Sequence, residues 1–347
     1  MEHQHNQKDN PLIHDLVTKG FIYTTLHHLS WPQQTLTVDN GLVLRFYHRG
    51  MLSITPAKYK GDSATVISVG IHGDETGPIE LADKLVTQVL SGEVTISHPC
   101  LFIFAHPDAT IKKQRFIEQN LNQLFEMSTM QIRGIEGEIA AKIKDVVELF
   151  FERSSGKKRW HLDLHCSSRP SQYPVFAIRP ATRHQSDATD QELKYFAQHA
   201  DVQAVLLCHH PSYAFSWYTG EYFQAKSLTI ELGQLRALGE NDLSVFTSFL
   251  SGMHLLLNRN EKVDDVNCMN QDIAVYDVVD EIRKQHSDLA FTARQALINF
   301  EPLYLNQEYG MQGGIPMICE SGGHALVFAN DKVEVGQRAA LLVERIR

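Results

Sequence analysis

The stretch Val66-Ile67-Ser68-Val69-Gly70-Ile71-His72-Gly73-Asp74-Glu75 joins a short apolar run to two side chains that can bind a metal. Its first four residues are rich in β-branched side chains, which predicts a buried strand of a parallel sheet. Further along, Leu162-Asp163-Leu164-His165 again ends an apolar run with a polar side chain. Open α/β sheets bind ligands at the carboxyl ends of their strands, so both stretches occupy positions where a functional site forms.

His72, Glu75 and His165 have the spacing of a catalytic zinc site, with two ligands close in sequence and a third 90 residues after Glu75. Imidazole and carboxylate are good zinc ligands, and three protein ligands leave a fourth tetrahedral position open for water or substrate. The alternative is a hydrogen-bonded structural histidine, and the placement at strand ends favours the metal over it. We therefore predict one Zn²⁺ per chain, although the sequence alone does not separate zinc from cobalt or manganese.

Runs of apolar and β-branched residues alternate with helical patterns along most of the chain. The predicted strands lie at 65–69, 101–105, 159–165, 174–179, 202–208 and 227–232, and the predicted helices at 76–91, 136–153, 190–199 and 242–258. Two earlier strands, at 41–47 and 52–54, are expected to pair through the turn His48-Arg49-Gly50. This alternation predicts an α/β fold with a mixed, mostly parallel sheet that is flanked by helices on both faces.

The residue pattern changes after about residue 262, where short strand-like runs alternate with Gly-rich turns such as Ser321-Gly322-Gly323-His324. We predict a zinc hydrolase catalytic domain over residues 1–262 and a smaller β-rich region over 263–347, appended to the catalytic sheet or packed on it.

Composition restricts the classes of partner. The chain has 347 residues, a formal net charge of -9 and no sustained basic stretch, which argues against nucleic acid or an anionic membrane as a partner. No stretch approaches the roughly 20 apolar residues of a membrane span, and the five cysteines lack paired spacing. We expect a cytoplasmic protein that acts on a small molecule; a homo-oligomer is compatible with the sequence, which does not determine it.

A hydrolytic zinc site also needs a base and a counter-charge for the developing oxyanion. Glu231 ends the otherwise apolar run Leu228-Thr229-Ile230, and a carboxylate there is costly to desolvate unless it has a partner or a function. It is the candidate base, and a surface carboxylate at a strand end is the alternative. Arg115 is the candidate oxyanion partner, because a guanidinium keeps its charge and binds oxygen pairs bidentately; from position alone, a solvent-facing charge is the better interpretation.

Four motifs together resemble the succinylglutamate desuccinylase/aspartoacylase family, which has the zinc carboxypeptidase fold. The similarity is carried by Gly70-Ile71-His72-Gly73-Asp74-Glu75-Thr76-Gly77, by His106-Pro107-Asp108-Ala109 with Arg115-Phe116 and Asn120-Leu121-Asn122, by Asp163-Leu164-His165, and by Glu231-Leu232-Gly233. The stretches Trp160–Cys166 and Phe215–Tyr218 are most similar to the desuccinylase branch.

The resemblance implies a role for each matching residue. His72, Glu75 and His165 would bind zinc, Glu231 would act as general base and then acid, and Arg115 would polarise the scissile carbonyl and hold the oxyanion. Asn122 would contact a substrate carboxylate. In this branch the reaction is the hydrolysis of N2-succinyl-L-glutamate to succinate and L-glutamate, the last step of arginine catabolism through succinylated intermediates.

Two positions depart from the family pattern, and one of them keeps a second function open. Many relatives have Asp-x-Asn-Arg, whereas this chain has Asn120-Leu121-Asn122-Gln123, so the charged carboxylate clamp is missing. Gln123 therefore favours the alternative of a related N-acyl-amino-acid deacylase, aspartoacylase-like, or of a carboxypeptidase-like hydrolase. A catalytically silent zinc or metabolite-binding protein is the third hypothesis, and the presence of all three ligands and Glu231 argues against it.

Two further sets of residues have open roles. Asp163, two residues before His165, is equally compatible with supporting a ligand and with a structural role. The arginines at the predicted strand ends are candidates for holding the substrate carboxylates, although each taken singly is better explained as surface charge: Arg169, Arg179 and Arg236.

Overall fold

The computed structural model describes residues 10–59, 62–126, 133–154, 158–258 and 272–347. Its helices are α1 (Pro11–His27), α2 (Thr76–Ser91), α3 (Pro107–Ile111), α4 (Gly134–Arg153), α5 (Asp187–His199), α6 (Phe215–Phe223) and α7 (Thr247–Leu257). Its strands are β1 (Gln34–Thr37), β2 (Leu42–His48), β3 (Met51–Pro56), β4 (Ser63–Val69), β5 (Cys100–Phe104), β6 (Lys158–Ser167), β7 (Val175–Arg179), β8 (Ala204–Leu207), β9 (Lys226–Gln234), β10 (Ala274–Arg283), β11 (Ala290–Phe291), β12 (Glu308–Gln312), β13 (Ile315–Ile318), β14 (His324–Val327) and β15 (Arg338–Arg345). The predicted domain boundary at 262 and 263 and the residue Cys268 lie outside the described residues.

The predicted elements between residues 41 and 258 are confirmed. Each of the eight predicted strands forms, as β2 to β9, and the four predicted helices form as α2, α4, α5 and α7. The last helix begins later than expected, because Asp242 accepts a hydrogen bond from the amide of Ser244 and starts a 3-10 turn over Leu243–Phe246. The helices α1, α3 and α6 were not predicted.

Twelve strands form one mixed sheet in the order β1-β2-β3-β5-β4-β6-β9-β7-β8-β10-β15-β14. Its centre, made of β5, β4, β6 and β9, is parallel. The strand β7 is antiparallel to β9, whereas the preceding strand β6 is parallel to β9. A parallel return from β6 to β7 would need a crossover of a dozen or more residues, and the link between Ser167 and Val175 is too short for one.

Helices cover both faces of the sheet, as predicted. On one face, alternate strand residues such as Ile67 and Leu162 pack with α1, α2, α5 and α7. On the other, Val66 and Leu101 pack with α4 and α6. This separation follows from the two-residue period of a strand, which sends neighbouring side chains to opposite faces. Among the described helices, none combines the length and apolar character needed to cross a membrane.

The C-terminal region is β-rich, as expected, and part of it continues the main sheet. β10 pairs in parallel with β8, and β15 and β14 extend that edge. The strands β11, β12 and β13 form a separate antiparallel sheet. The buried side chain of Asn299 donates to Ser167 Oγ at 2.8 Å and accepts from the amide of Phe328 at 2.9 Å. The C-terminal region is thereby fastened to the end of β6.

Candidate metal centre

Three potential metal ligands meet at the carboxyl ends of the adjacent parallel strands β4 and β6. His72 and Glu75 lie in the loop that follows β4, and His165 lies near the end of β6. One ligand atom from each residue lies within 4.8 Å of the others, and all three residues are buried. The structure thus brings together the three residues that the sequence analysis proposed as ligands.

Two glycines explain how the first two ligands reach this position. Gly70 has a φ of 63°, in the left-handed region that favours glycine, and it turns the chain sharply at the end of β4. A Cβ on Gly73 would lie 2.4 Å from the backbone of Ala109 and Thr110, so only glycine lets this loop pass so close to α3. The amide of Gly73 donates to the carbonyl oxygen of Arg115 at 3.0 Å, which ties the ligand loop to the loop after α3.

The hydrogen bonds around the cluster fit a divalent metal. Nδ1 of His72 and Nδ1 of His165 each lie 2.8 Å from an oxygen of Glu75, so both nitrogens face the centre of the cluster. The outer nitrogens have acceptors: Nε2 of His72 lies 3.0 Å from Asn120 Oδ1, and Nε2 of His165 lies 3.1 Å from Asp163 Oδ2. Metal-binding histidines typically use one nitrogen as the ligand and donate the other to such an acceptor. Two imidazoles and a carboxylate are also a donor set that zinc prefers.

The charges of the cluster indicate where a cation would be favoured. Burial opposes the charged form of Glu75, but His72 and His165 outweigh burial and hold the pKa of Glu75 well below its usual range. Burial also opposes a charge on His165, yet Asp163 and Glu75 raise its pKa well above the ordinary value. In the metal-free protein, a proton on His165 therefore supplies positive charge at this position. Since metal binding requires a neutral histidine, the metal would displace that proton.

Glu231 lies beside the cluster on β9, where it is the register partner of His165 on β6. It is buried, and its Oε2 has no hydrogen-bond partner among the residues that the structure describes. Burial and the negative charge of Glu75 raise the pKa of Glu231 to about 8. A carboxyl group with a raised pKa next to these three potential metal ligands is suited to accepting and returning a proton near neutral pH.

Comparisons with known proteins give the chain its family. Residues 62–257 match the model of the Succinylglutamate desuccinylase/Aspartoacylase catalytic domain, and residues 271–346 match the AstE/AspA barrel-sandwich hybrid domain. The chain is 38% identical to the succinylglutamate desuccinylase of Vibrio cholerae serotype O1 over 336 residues, which cover 95% of each chain.

The chain belongs to the succinylglutamate desuccinylase/aspartoacylase family. The recognition made from the four motifs is thereby confirmed. Solved structures agree with this assignment. The structure of the succinylglutamate desuccinylase from Vibrio parahaemolyticus superposes with a TM-score of 0.85 at 35% identity and covers 96% of each chain. That from Chromobacterium violaceum has a TM-score of 0.81 at 26% identity, with 95% of this chain and 98% of the other covered.

In this family member, Arg115 lies at the cluster. Its Nη1 donates to Oε1 of Glu75 at 2.7 Å, while the side chain remains 42% exposed. The guanidinium thus contacts the buried cluster and is also open to solvent. Its position is compatible with contacting a substrate oxygen once the pairing with Glu75 is loosened.

Asn122 occupies a different environment from the one expected of a residue that only contacts substrate. Its Oδ1 accepts a hydrogen bond from the backbone amide of Phe215, at the start of α6, at 2.9 Å. The backbone amide of Asn122 donates to Asn120 Oδ1 at 3.1 Å. Only the side-chain nitrogen of Asn122 is then available to donate to a carboxylate. Gln123, in the position of the family arginine, is exposed.

The three arginines considered for the substrate carboxylates lie in separate places. Arg179 pairs with Asp190 at 3.0 Å and lies at the carboxyl end of β7. Because β7 runs antiparallel to β9, this end lies at the amino ends of the central strands, away from the cluster at their carboxyl ends. Arg169 donates through Nε to the carbonyl oxygen of Ala329 at 2.9 Å. Arg236 is exposed in the loop after β9.

Sequence reasoning missed the residues that support the site. Asn120 had no assigned role, although it contacts His72. Glu136 is fully buried and holds the loop that carries Arg115: it accepts the amides of Ile117, Glu118 and Gln119 at 2.7 to 3.3 Å and pairs with His106 Nε2 at 3.0 Å. A signal for such residues is a polar side chain inside an apolar period, such as Glu136 on the buried side of α4.

Proposed function

We propose that this chain is a zinc-dependent amidohydrolase that converts N2-succinyl-L-glutamate to succinate and L-glutamate. The observation that carries the proposal is the buried cluster of His72, Glu75 and His165 beside the unpaired carboxyl oxygen of Glu231. The substrate is supported by the family relatives, which are named succinylglutamate desuccinylases at 38% identity over 95% of both chains. By the family resemblance, the reaction belongs to arginine catabolism, and a cytoplasmic location stays a prediction of the sequence.

The residues around the cluster divide the chemistry among them. Zinc bound by these three ligands supplies a Lewis acid that polarises an amide carbonyl and acidifies water. Glu231 takes the proton of the attacking water and later delivers it to the nitrogen of the departing glutamate. Arg115 donates to the oxygen that becomes negative as the carbonyl is attacked. Removal of one such donor costs about 100- to 1,000-fold in turnover.

The supporting residues keep these groups in place. Asp163 and Asn120 accept from the outer nitrogens of His165 and His72, which fixes the orientation of both rings. The role of Asp163 as a support for a ligand is therefore the interpretation that the contact favours.

The proposal is tested by glutamate release from N2-succinyl-glutamate, with N-acetyl-aspartate and a C-terminal dipeptide as comparators. Chelation of the metal should abolish turnover, and zinc should restore it. Glu231→Gln should bind zinc and lose about 100- to 10,000-fold in turnover. The matched control is Glu221→Gln, which alters another buried glutamate, on α6, that pairs with Arg183 and should keep full activity.

Each outcome has a defined meaning. Full activity of Glu231→Gln would refute its role as the base. Turnover of a comparator alone would favour the alternative of a related N-acyl-amino-acid deacylase, to which the uncharged Gln123 points. Zinc binding with no turnover of any of the three substrates would exclude the proposed reaction.

A further inference from the structure

A row of buried polar side chains continues from His165 into the interior of the protein. Asp163 Oδ2 lies 3.1 Å from His165 Nε2, and Ser68 Oγ donates to Asp163 Oδ1 at 2.5 Å. Ser68 Oγ lies 2.8 Å from His161 Nε2, and His161 Nδ1 lies 2.7 Å from Thr219 Oγ1. At most 2% of each of these five residues is exposed. The row crosses from Asp163 on β6 to Ser68 on β4, returns to β6 at His161 and ends at Thr219 on α6. We call these four residues the Asp163–Thr219 row.

Counting protons assigns a direction to each hydrogen bond in the row. A serine hydroxyl has one proton, and Ser68 gives it to the carboxylate of Asp163, so its oxygen accepts from Nε2–H of His161. A neutral histidine that is protonated on Nε2 has a bare Nδ1, which accepts from the hydroxyl of Thr219 at 2.7 Å. The competing contacts of that hydroxyl, with helix carbonyl oxygens, are longer at 3.1 and 3.4 Å. Burial lowers the pKa of His161 to about 4, which agrees with a neutral ring.

The result of this order is a fixed acceptor for the metal ligand. With Ser68 donating to one oxygen of Asp163, the other oxygen is held toward Nε2 of His165, and Nδ1 of that ring faces Glu75. Ser68 and Asp163 are also register partners on adjacent strands, so the backbone supports the same geometry. If the hydroxyl is removed, a buried carboxylate oxygen and the N–H of His161 both lose a partner.

We propose that Ser68 and His161 are positioning residues of the metal centre, which act through Asp163 to hold His165 in the orientation that binds the metal. The inference rests on the proposed zinc site. It goes beyond the assigned ligands and their direct acceptors, because neither residue contacts a ligand. Thr219 orients His161 from α6 and is the outermost member of the row.

The test is the zinc dissociation constant, measured by chelator competition on Ser68→Ala, together with the visible absorption spectrum of the Co²⁺-loaded protein. The matched control is Thr65→Ala, because Thr65 lies on the same strand, is buried and makes a similar contact with His98 Nε2 at 2.8 Å. The constant should rise by a factor on the order of 10 in Ser68→Ala, as for partners outside the ligand shell. The Co²⁺ bands should shift, and Thr65→Ala should match the wild type in both measurements.

The outcomes separate this inference from the proposed function. Failure of the wild-type protein to bind zinc would refute the zinc site itself. Wild-type affinity in Ser68→Ala, or an equal loss of affinity in Ser68→Ala and Thr65→Ala, would refute the positioning role while leaving the zinc site in place. If Ser68→Ala does not fold, Thr219→Val decides the question: weaker zinc binding in that variant supports the row, and unchanged binding refutes it.

Discussion

The replacement of Glu231 by glutamine should stabilise the metal-free protein at alkaline pH, in contrast to its effect on activity. Glu231 is buried with an unpaired oxygen, so its neutral form is favoured in the folded state. Because its folded pKa is raised, its contribution to stability is fully present below the unfolded pKa and is lost as the pH rises through the folded pKa. Glutamine stays neutral throughout and should not show this loss.

The size of the effect follows from the two pKa values. Burial and the charge of Glu75 raise the pKa of Glu231 from 4.5 to about 8. At 1.36 kcal/mol per unit, this difference corresponds to a loss of about 5 kcal/mol in the free energy of unfolding. Most of it, about 4 kcal/mol, falls between roughly pH 5 and pH 8.5.

Urea unfolding of both proteins at those two pH values, with a chelator present, measures the effect. The advantage of Glu231→Gln over the wild type should grow by about 4 kcal/mol from the lower to the higher pH. With zinc bound, the gain should shrink, because a nearby dication favours the charged carboxylate. A difference between the two proteins that does not change with pH would refute the claim that Glu231 is held neutral by burial.

Zinc affinity should fall by about tenfold per pH unit below the pKa of His165, since binding releases the proton that Asp163 and Glu75 hold there against the effect of burial; a pH-independent dissociation constant would contradict this. Glu136→Gln should lower the free energy of unfolding by about 1–3 kcal/mol at neutral pH. Burial opposes the charge of Glu136, but its hydrogen bonds outweigh burial and lower its pKa, so this loss should shrink as the pH falls through that pKa in urea titrations. Asn299→Ala should cost on the order of 2 kcal/mol in the same assay, because the groups it bridges lose their partners, and unchanged stability would show that it does not fasten the C-terminal region.

The parts of the fold that were predicted are those that local sequence period determines. β4 and β6 are short apolar runs with turn signals after them, and α2 shows buried residues at helical spacing, such as Ile79, Ala82 and Val86. The ligand cluster was predictable for the same reason. Once two parallel strands are adjacent, side chains at their carboxyl ends meet, however far apart they lie in the sequence.

The parts that were not predicted depend on which distant segments become neighbours. The antiparallel direction of β7 follows from the length of one loop, and a run of apolar residues reads the same in either direction. The position of Arg115 depends on Glu136, which binds the following loop from a helix that begins 19 residues after Arg115. The sequence around Glu136 shows that a polar residue will be buried, but it does not show which loop that residue will bind.

The two-residue period of β6 nevertheless contains more than the strand assignment used. Leu162 and Leu164 face the apolar core, so His161, Asp163 and His165 must share the opposite face. In register with that face lie Ser68 on β4 and Glu231 on β9. One side of the strand therefore packs in the apolar core, and the other places His165 next to its acceptor Asp163 and the groups behind it. A polar residue at every second position of a buried strand is thus a signal for a supported site, and it is visible in the sequence before any partner is known.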